Sequence, residues 1–420
     1  MKSLKTIILA AGKGTRMNSD KPKVLHAVSG KPILQYVLDI AKALGSEKTY
    51  IVLGHQSGAI QAVIKDPFVA VQQKKLIGTA DAVKCAESYL RAYRGDLLIL
   101  CGDTPLLKQA TVKRVVQRHK RSKAACTFLT AVVHNPRGYG RIIRDTNGAA
   151  VAIREDKDAA GYERDIAEIN VGVYCCRAKD LFNALKTIKI NARKKEFYLT
   201  DIVEYFAGQG HKVETVETED SKEGLGINTR EDLAAAEAVI RRDILKRLML
   251  GGVTVTDPQT TYIDADVKIG TDTVIHPFTF IERNVRIGRN CSIGPFARLR
   301  AGTKIEDKVE IGNFTEVSRT KIGKGTFMKH FSFLGDSAIG ENVNIGAGVV
   351  TANFDGRQKN MTKISAGAFI GSDAVLVAPV KIGKKAVIGA GSVVTRGKTI
   401  PDGSVAVGVP AKIISKGTRK

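Results

Sequence analysis

An aliphatic side chain recurs every six residues through the last two-fifths of the 420-residue chain. From Ile263 the series runs Ile269, Ile275, Ile281, Ile287, Ile293, Leu299, Ile305, Ile311 and Val317. It slips by one residue and resumes at Ile322, Met328 and Leu334, then slips again to Ile339 and Ile345. After an insertion it continues as Ile364, Ile370, Leu376, Ile382, Ile388 and Val394. Helices repeat about every 3.6 residues and strands every two, so neither explains a period of six. A hexapeptide β-helix does, because each short strand points one aliphatic residue inward and then turns a corner. At three positions per coil, these 21 positions predict seven coils of a left-handed parallel β-helix within residues 251–420. The insertion TANFDGRQKNMTK (351–363) is expected on the surface, and its Asn, Asp, Arg and Lys content suggests a working loop.

Residues 1–228 have a different texture. KTIILAA (5–11), TYIVLG (49–54) and DLLILCGD (96–103) read as strands, PILQYVLDIAKAL (32–44) and AVKCAESYLRAY (82–93) as helices. Alternation of this kind predicts an α/β, Rossmann-like parallel sheet covered by helices on both faces. Ligands of such sheets bind at the carboxyl ends of the strands, so the loops after Ala10 and Leu100 should matter most. Residues 229–250 have helical composition, with Thr229 and Asp232 as a capping pair and Gly251-Gly252 as the stop. Three segments are therefore expected: a catalytic domain over 1–228, a linker helix over 229–250 and the β-helix over 251–420.

Composition excludes some classes. No apolar run approaches the length of about 18 residues or more that spans a bilayer. The apolar run Ile7–Ala11 is too short for a signal peptide, so a cytoplasmic protein with no membrane partner is expected. The six cysteines have no metal-ligand spacing and read as free thiols. The net charge of +24 is spread along the chain, with +10 of it in residues 251–420. A nucleic-acid binder would gather it in one stripe or tail, so no nucleic-acid partner is expected.

LAAGKGTRM (9–17) follows a strand and combines glycines with cations. Glycines let backbone amides approach phosphate, and Lys13 and Arg16 can neutralise it. The loop lacks the Gly-Lys-Ser/Thr of a Walker A motif. Taken through Pro22-Lys23, the segment LAAGKGTRMNSDKPKVLH resembles the signature of the sugar-phosphate nucleotidyltransferases. QQKKLIGTADAV (72–83), CGDTPLL (101–107), GYGRIIRD (138–145), IREDKDA (153–159), EINVGVY (168–174), EFYLTDIV (196–203) and GINTREDL (226–233) follow in that family's order. With the hexapeptide domain behind them, the chain resembles the bacterial bifunctional enzymes that make UDP-N-acetylglucosamine, a precursor for cell-wall and lipopolysaccharide synthesis.

The resemblance implies that Leu9, Ala10, Gly12, Gly14, Thr15, Gln73, Gly78 and Thr79 hold the uridine nucleotide. Lys13, Arg16 and Lys23 would carry the triphosphate, Asp103 and Asn228 would bind Mg²⁺, and Gly140, Glu155, Asn170 and Thr200 would hold the sugar of N-acetylglucosamine 1-phosphate. In the β-helix it implies acetylation of glucosamine 1-phosphate by acetyl-CoA. His330 would be the general base, Glu316 the carboxylate that orients it and Asn353 a contact to the acetyl group. Arg300, Ser318, Phe333, Asn344 and Lys359 align with acceptor contacts, and Ala347, Phe354, Ser372 and Ala390 with coenzyme A contacts. A homotrimer is implied as well.

Four positions depart from the family pattern. Ser318 replaces a lysine on the sugar phosphate, Phe333 replaces a tyrosine, Gly408 stands where many members have a basic residue, and Asp81 where many have histidine. Arg319 and Lys321 are the candidates to replace the lost lysine. Two readings therefore stand: a bifunctional acetyl- and uridylyltransferase, or a nucleotidyltransferase whose β-helix only trimerises. A noncatalytic sugar-nucleotide sensor is disfavoured by the intact Lys13, Arg16, Lys23, Asp103 and Asn228.

Overall fold

The computed structural model describes residues 4–416, apart from 55 and 194. The chain divides into two compact units, Met1–Glu237 and Ala238–Lys420. No helix among the described residues is long and apolar enough to cross a membrane.

The first unit is built on one sheet. From edge to edge its strands are Val213–Glu217, Cys126–Val132, Glu168–Arg177, Asp96–Cys101, Leu4–Ala10, Lys48–Leu53 and Val69–Gln72. A hairpin, Arg141–Arg144 with Ala150–Arg154, attaches to Glu168–Arg177. Alternate residues of the central strands feed two apolar cores, one on each face. Ile7, Leu97 and Ile99 enter one core, and Leu4, Ile8, Leu98 and Leu100 enter the other. The sheet is not wholly parallel as expected, because Glu168–Arg177 runs antiparallel to both neighbours. That strand is largely buried on both faces, as a parallel strand would be, so its composition does not disclose its direction.

Most predicted elements form within a residue or two of their expected bounds. Helix 82–93 does not form as one piece: Thr79–Lys84 and Glu87–Leu90 are separate. A tight turn joins them, with Ala86 N donating to Val83 O at 3.0 Å around a fully buried Ala86. The linker helix spans Arg230–Leu250. Asp232 accepts from the backbone N of Asn228 and Thr229, both at 2.8 Å, and its own N donates to Thr229 Oγ1 at 3.0 Å. The division between the units falls inside this helix.

The second unit is a parallel β-helix of the left-handed hexapeptide type. Three parallel stacks, of ten, eight and eight strands, form its faces; the tenth strand of the longest stack, Lys412–Lys416, runs antiparallel against Ser404–Val407 and covers the end. The eight-stranded stacks define eight complete coils, one more than the ladder predicts. The inward positions missing from the ladder are Val255, Thr351, Ile400 and Ala406, all buried. Thr351 breaks the aliphatic rule, and its hydroxyl is occupied by the preceding coil, accepting from Gly335 N at 2.8 Å. Stacked rings along the coils repeat at the coil rise: Phe278, Phe296 and Phe314 lie 4.8 and 5.0 Å apart. Corners are tight. A Cβ on Gly312 would lie 1.8 Å from the carbonyl oxygen of Lys329 on the next coil, so only glycine is accommodated.

Candidate active sites

The loop after Leu4–Ala10 exposes Gly12, Lys13, Thr15 and Arg16, while Met17 anchors it in the core. Gly14 is left-handed, with φ 63°, and a Cβ there would lie 2.8 Å from Lys23 Cβ. The glycine loop thus wraps the root of Lys23. Two cavities open beside it. One, about 220 Å³, is lined by Ala10, Gly12, Lys13, Pro22, Lys23 and Gly54 among others. The other, about 500 Å³, is lined by Leu9, Gly12, Lys13, Gln73, Leu76, Gly78, Thr79, Cys101, Asp103 and Glu196 among others. Leu76 and Glu196 lie inside the segments QQKKLIGTADAV and EFYLTDIV, but neither is among the residues that the resemblance singles out.

The backbone around Gly78 and Thr79 is fixed by a distant segment. Ala80 N donates to Phe197 O at 3.0 Å, and Leu199 N donates to Thr79 Oγ1 at 3.0 Å. A Cβ on Gly78 would strike Phe197 O at 2.3 Å, which explains the glycine. Gln73 is buried, and its Nε2 donates to Gly78 O at 3.1 Å and to Asp81 Oδ2 at 2.9 Å.

Asp103 follows the central strand Asp96–Cys101, and Ile227 N bonds to its carbonyl, which brings Asn228 alongside. Lys23 Nζ donates to Asp103 Oδ2 at 2.5 Å and to Asn228 Oδ1 at 3.1 Å. Burial, with the neighbouring Asp103 adding, pushes the Cys101 thiol up to about 12. It stays neutral near pH 7 and is no nucleophile.

The four predicted sugar positions come together. Asn170 N bonds to Gly140 O at 2.8 Å, Thr200 Oγ1 donates to Glu155 Oε1 at 2.9 Å, and Gly140 packs against Asn170 and Glu155. Asn170 is held at both ends, its Nδ2 on Tyr174 Oη at 2.7 Å and its Oδ1 on Gly172 N at 3.0 Å.

In the β-helix the predicted residues fall into two groups on different edges. Register places His330, Ala347, Ser372 and Ala390 at one equivalent corner position of four successive coils, each two residues after an inward Met328, Ile345, Ile370 or Ile388. His330 is exposed above a column of small side chains. Arg300, Ser318 and Asn353 occupy the next corner, across the face that carries Glu316 and Phe333. Lys359 and Phe354 sit in the insertion that leaves this corner, bridged to each other, and Asn344 lies on the face before His330's corner. Glu316 pairs with Arg300, which donates through Nη1 at 3.0 Å; among the described residues no hydrogen bond joins Glu316 to His330.

Ser318 is fully buried, and among the described residues its hydroxyl has no hydrogen-bond partner. Of the two proposed substitutes for a lysine there, Arg319 is spent on Asp336 and Lys321 on Glu306. Asp336 also accepts from Asn353 Nδ2. Arg319's hydrogen bonds, then that of Asn353, hold the Asp336 carboxyl below the usual carboxylate range. The sequence reading missed Asp336, although both one-residue slips of the ladder, Val317 to Ile322 and Leu334 to Ile339, mark the corner where Arg319 and Asp336 turn.

A glycine loop with three cations at the end of a Rossmann-like sheet, followed by a hexapeptide β-helix, defines a nucleotidyltransferase joined to an acyltransferase-type solenoid. The MobA-like NTP transferase domain matches residues 6–201, and the bacterial transferase hexapeptide repeat matches 284–319 and 361–396. The "Bifunctional protein GlmU" of Geobacillus sp. (strain WCH70) is 42% identical over 96% of this chain and 94% of its own. That of Thermosipho africanus (strain TCF52B) is 42% identical over 98% and 96%, and that of Pelobacter propionicus 40% identical over 100% and 98%. The chain belongs to the GlmU family.

Proposed function

We infer that the protein makes UDP-N-acetylglucosamine in two steps. The β-helix acetylates glucosamine 1-phosphate with acetyl-CoA, and the first unit joins the product to UTP with release of pyrophosphate. The carrying observation is the convergence of Lys23, Asp103 and Asn228 beside the glycine loop.

Attack of a sugar phosphate oxygen on the α-phosphorus needs positioning and charge neutralisation more than covalent help. Lys13 and Arg16 project from the loop to meet the phosphates. Gly140, Glu155, Asn170 and Thr200 hold the sugar so that its phosphate points at the nucleotide. Asp103 and Asn228 are hard oxygen donors already directed at one cation, so they suit Mg²⁺, which takes few protein ligands and keeps several waters. Bound there, the metal supplies neutralising charge at the reacting phosphoryl group. In the second unit, His330 takes the proton from the substrate amine as it attacks the thioester. The small side chains of Ala347, Ser372 and Ala390 leave room along that corner for coenzyme A.

The homotrimer belongs to this reading. His330 and the coenzyme column lie on one edge of the face that carries Glu316 and Phe333, and Arg300, Asn353 and Lys359 on the other, so a neighbouring copy packed against either edge would wall the acetyl site, as the family resemblance implies. Contacts of that heterologous kind close into cyclic assemblies. A nucleotidyltransferase-only reading is favoured by Ser318, whose hydroxyl is buried and uncharged, and by Phe333, which offers the acceptor phosphate no polar group.

Asp103→Ala should abolish pyrophosphate release from UTP and N-acetylglucosamine 1-phosphate while the fold survives; near-normal turnover overturns the assignment. A thiol-release assay with acetyl-CoA and glucosamine 1-phosphate decides the second activity, with His330→Ala as its control. Light scattering that finds a stable monomer of 45.3 kDa would sink the shared site.

A further inference from the structure

Lys23 is three things at once: a cation, nearly buried, and bonded to both proposed metal donors. Its side chain is 12% exposed and that of Asp103 25%. A partly desolvated pair at 2.5 Å is screened less than a surface ion pair, and taking away either partner leaves the other charge uncompensated unless another charge replaces it. Lys13 and Arg16, on the same loop, are exposed to solvent. The root of Lys23 is fixed by the turn Lys23–Leu25, whose Val24 and Leu25 are buried, and by its contact with Gly14. Its ammonium can therefore swing only a short way, between the Asp103 and Asn228 oxygens and the phosphate loop.

We propose that Lys23 is a surrogate cation that makes metal entry depend on the nucleotide. In the free protein its ammonium fills the place between Asp103 and Asn228. An incoming triphosphate offers Lys23 a denser negative partner, draws it toward the glycine loop and uncovers the two oxygens for a divalent ion. The logic is competition for one locus. An ammonium and a divalent cation repel each other and want the same oxygens, and Mg²⁺ gives up its waters reluctantly. The device keeps a metal from settling in the empty site and links the arrival of both charges needed for nucleotidyl transfer. It rests on the reading of Asp103 and Asn228 as metal donors.

The test is Mn²⁺ binding to the full-length protein without nucleotide, followed by the loss of the free-ion electron paramagnetic resonance signal. The compared proteins are wild type, Lys23→Met, Lys13→Met, and Lys23→Met combined with Asp103→Asn. Lys23→Gln replaces Lys23→Met if thermal melting shows that the latter does not fold. The expected result is that Lys23→Met binds one Mn²⁺ about tenfold or more tighter than wild type, the scale of one charge-assisted hydrogen bond. Lys13→Met, which removes the same charge from the same loop, should bind as wild type does. Equal affinity in wild type and Lys23→Met overturns the proposal, and so does an equal gain in Lys13→Met, which would mark a general charge effect. Tight binding that persists in the double variant would instead sink the assignment of Asp103 as a metal donor.

Discussion

Arg319 grips the carboxylate of Asp336 with both arms of its guanidinium, Nε at 2.6 Å and Nη2 at 2.8 Å. The pair spans two successive coils at the corner where the hexapeptide ladder slips, and Asp336 in turn holds the amide of Asn353 on the next coil. Bidentate pairs of this kind fix geometry as well as add energy. On the proposed acetyl-transfer reading, Asp336 is a positioning residue, because it holds Asn353.

Asp336→Asn should therefore lower kcat/KM for acetyl transfer about tenfold, the loss expected when one charge-assisted hydrogen bond no longer orients a contact. Uridylyl transfer should be unchanged, because its residues lie in the other unit. Parallel thiol-release and pyrophosphate-release assays read both. Equal losses in the two activities would indicate general destabilisation instead.

Ser318→Ala should leave stability unchanged or raise it by up to about 1 kcal/mol, because it removes a buried hydroxyl that has no partner among the described residues. Thermal melting measures this. A large drop in the melting temperature would mean that the hydroxyl is bonded in the assembled protein.

Selectivity for the base should depend on Asp81. A carboxylate only accepts hydrogen bonds, so Gln73 must turn its Nε2 toward Asp81 and Gly78 O. Among the described residues that leaves Oε1 as the available acceptor of a side chain lining the cavity of about 500 Å³ proposed for the nucleotide. An acceptor suits a ring N–H, as uracil has and cytosine lacks. Asp81→Ala should lower the ratio of kcat/KM for UTP over CTP by roughly tenfold, as one oriented hydrogen bond is lost. A ratio that does not move counts against this role.

Asp201 gives a pH signature. Burial, then the nearby Glu204 and Glu155, push its carboxyl from 3.8 up to about 6. The folded protein then holds the proton more tightly than the unfolded chain. Its contribution is fully present below pH 3.8 and is lost as pH rises through about 6. Asp201→Asn should raise the melting temperature at pH 8 and leave it unchanged near pH 3.5. Calorimetry at the two values checks this, and an equal gain at both would remove the electrostatic explanation.

The sequence alone determined the β-helix, because a six-residue period is a local repeat in which each inward aliphatic residue specifies its own short strand. It missed Thr351, because a threonine whose hydroxyl is satisfied by the preceding coil looks polar in sequence, and Val255, Ile400 and Ala406 at the ends of the series. The strands and loops of the first unit were legible for the same local reasons. Strand direction was not: Glu168–Arg177 is as apolar as a parallel strand, and only its place in the sheet makes it antiparallel. The break in helix 82–93 was equally hidden, since neither proline nor glycine marks it. Only the tertiary structure decided which side chains meet. Lys23 reaches Asp103 and Asn228 across separations of 80 and 205 residues. Arg319, Asp336 and Asn353 meet because two coils each lost a residue at the same corner. Periodicity records what each residue faces within its own element, whereas such pairings depend on how distant elements are brought together by crossovers and stacking.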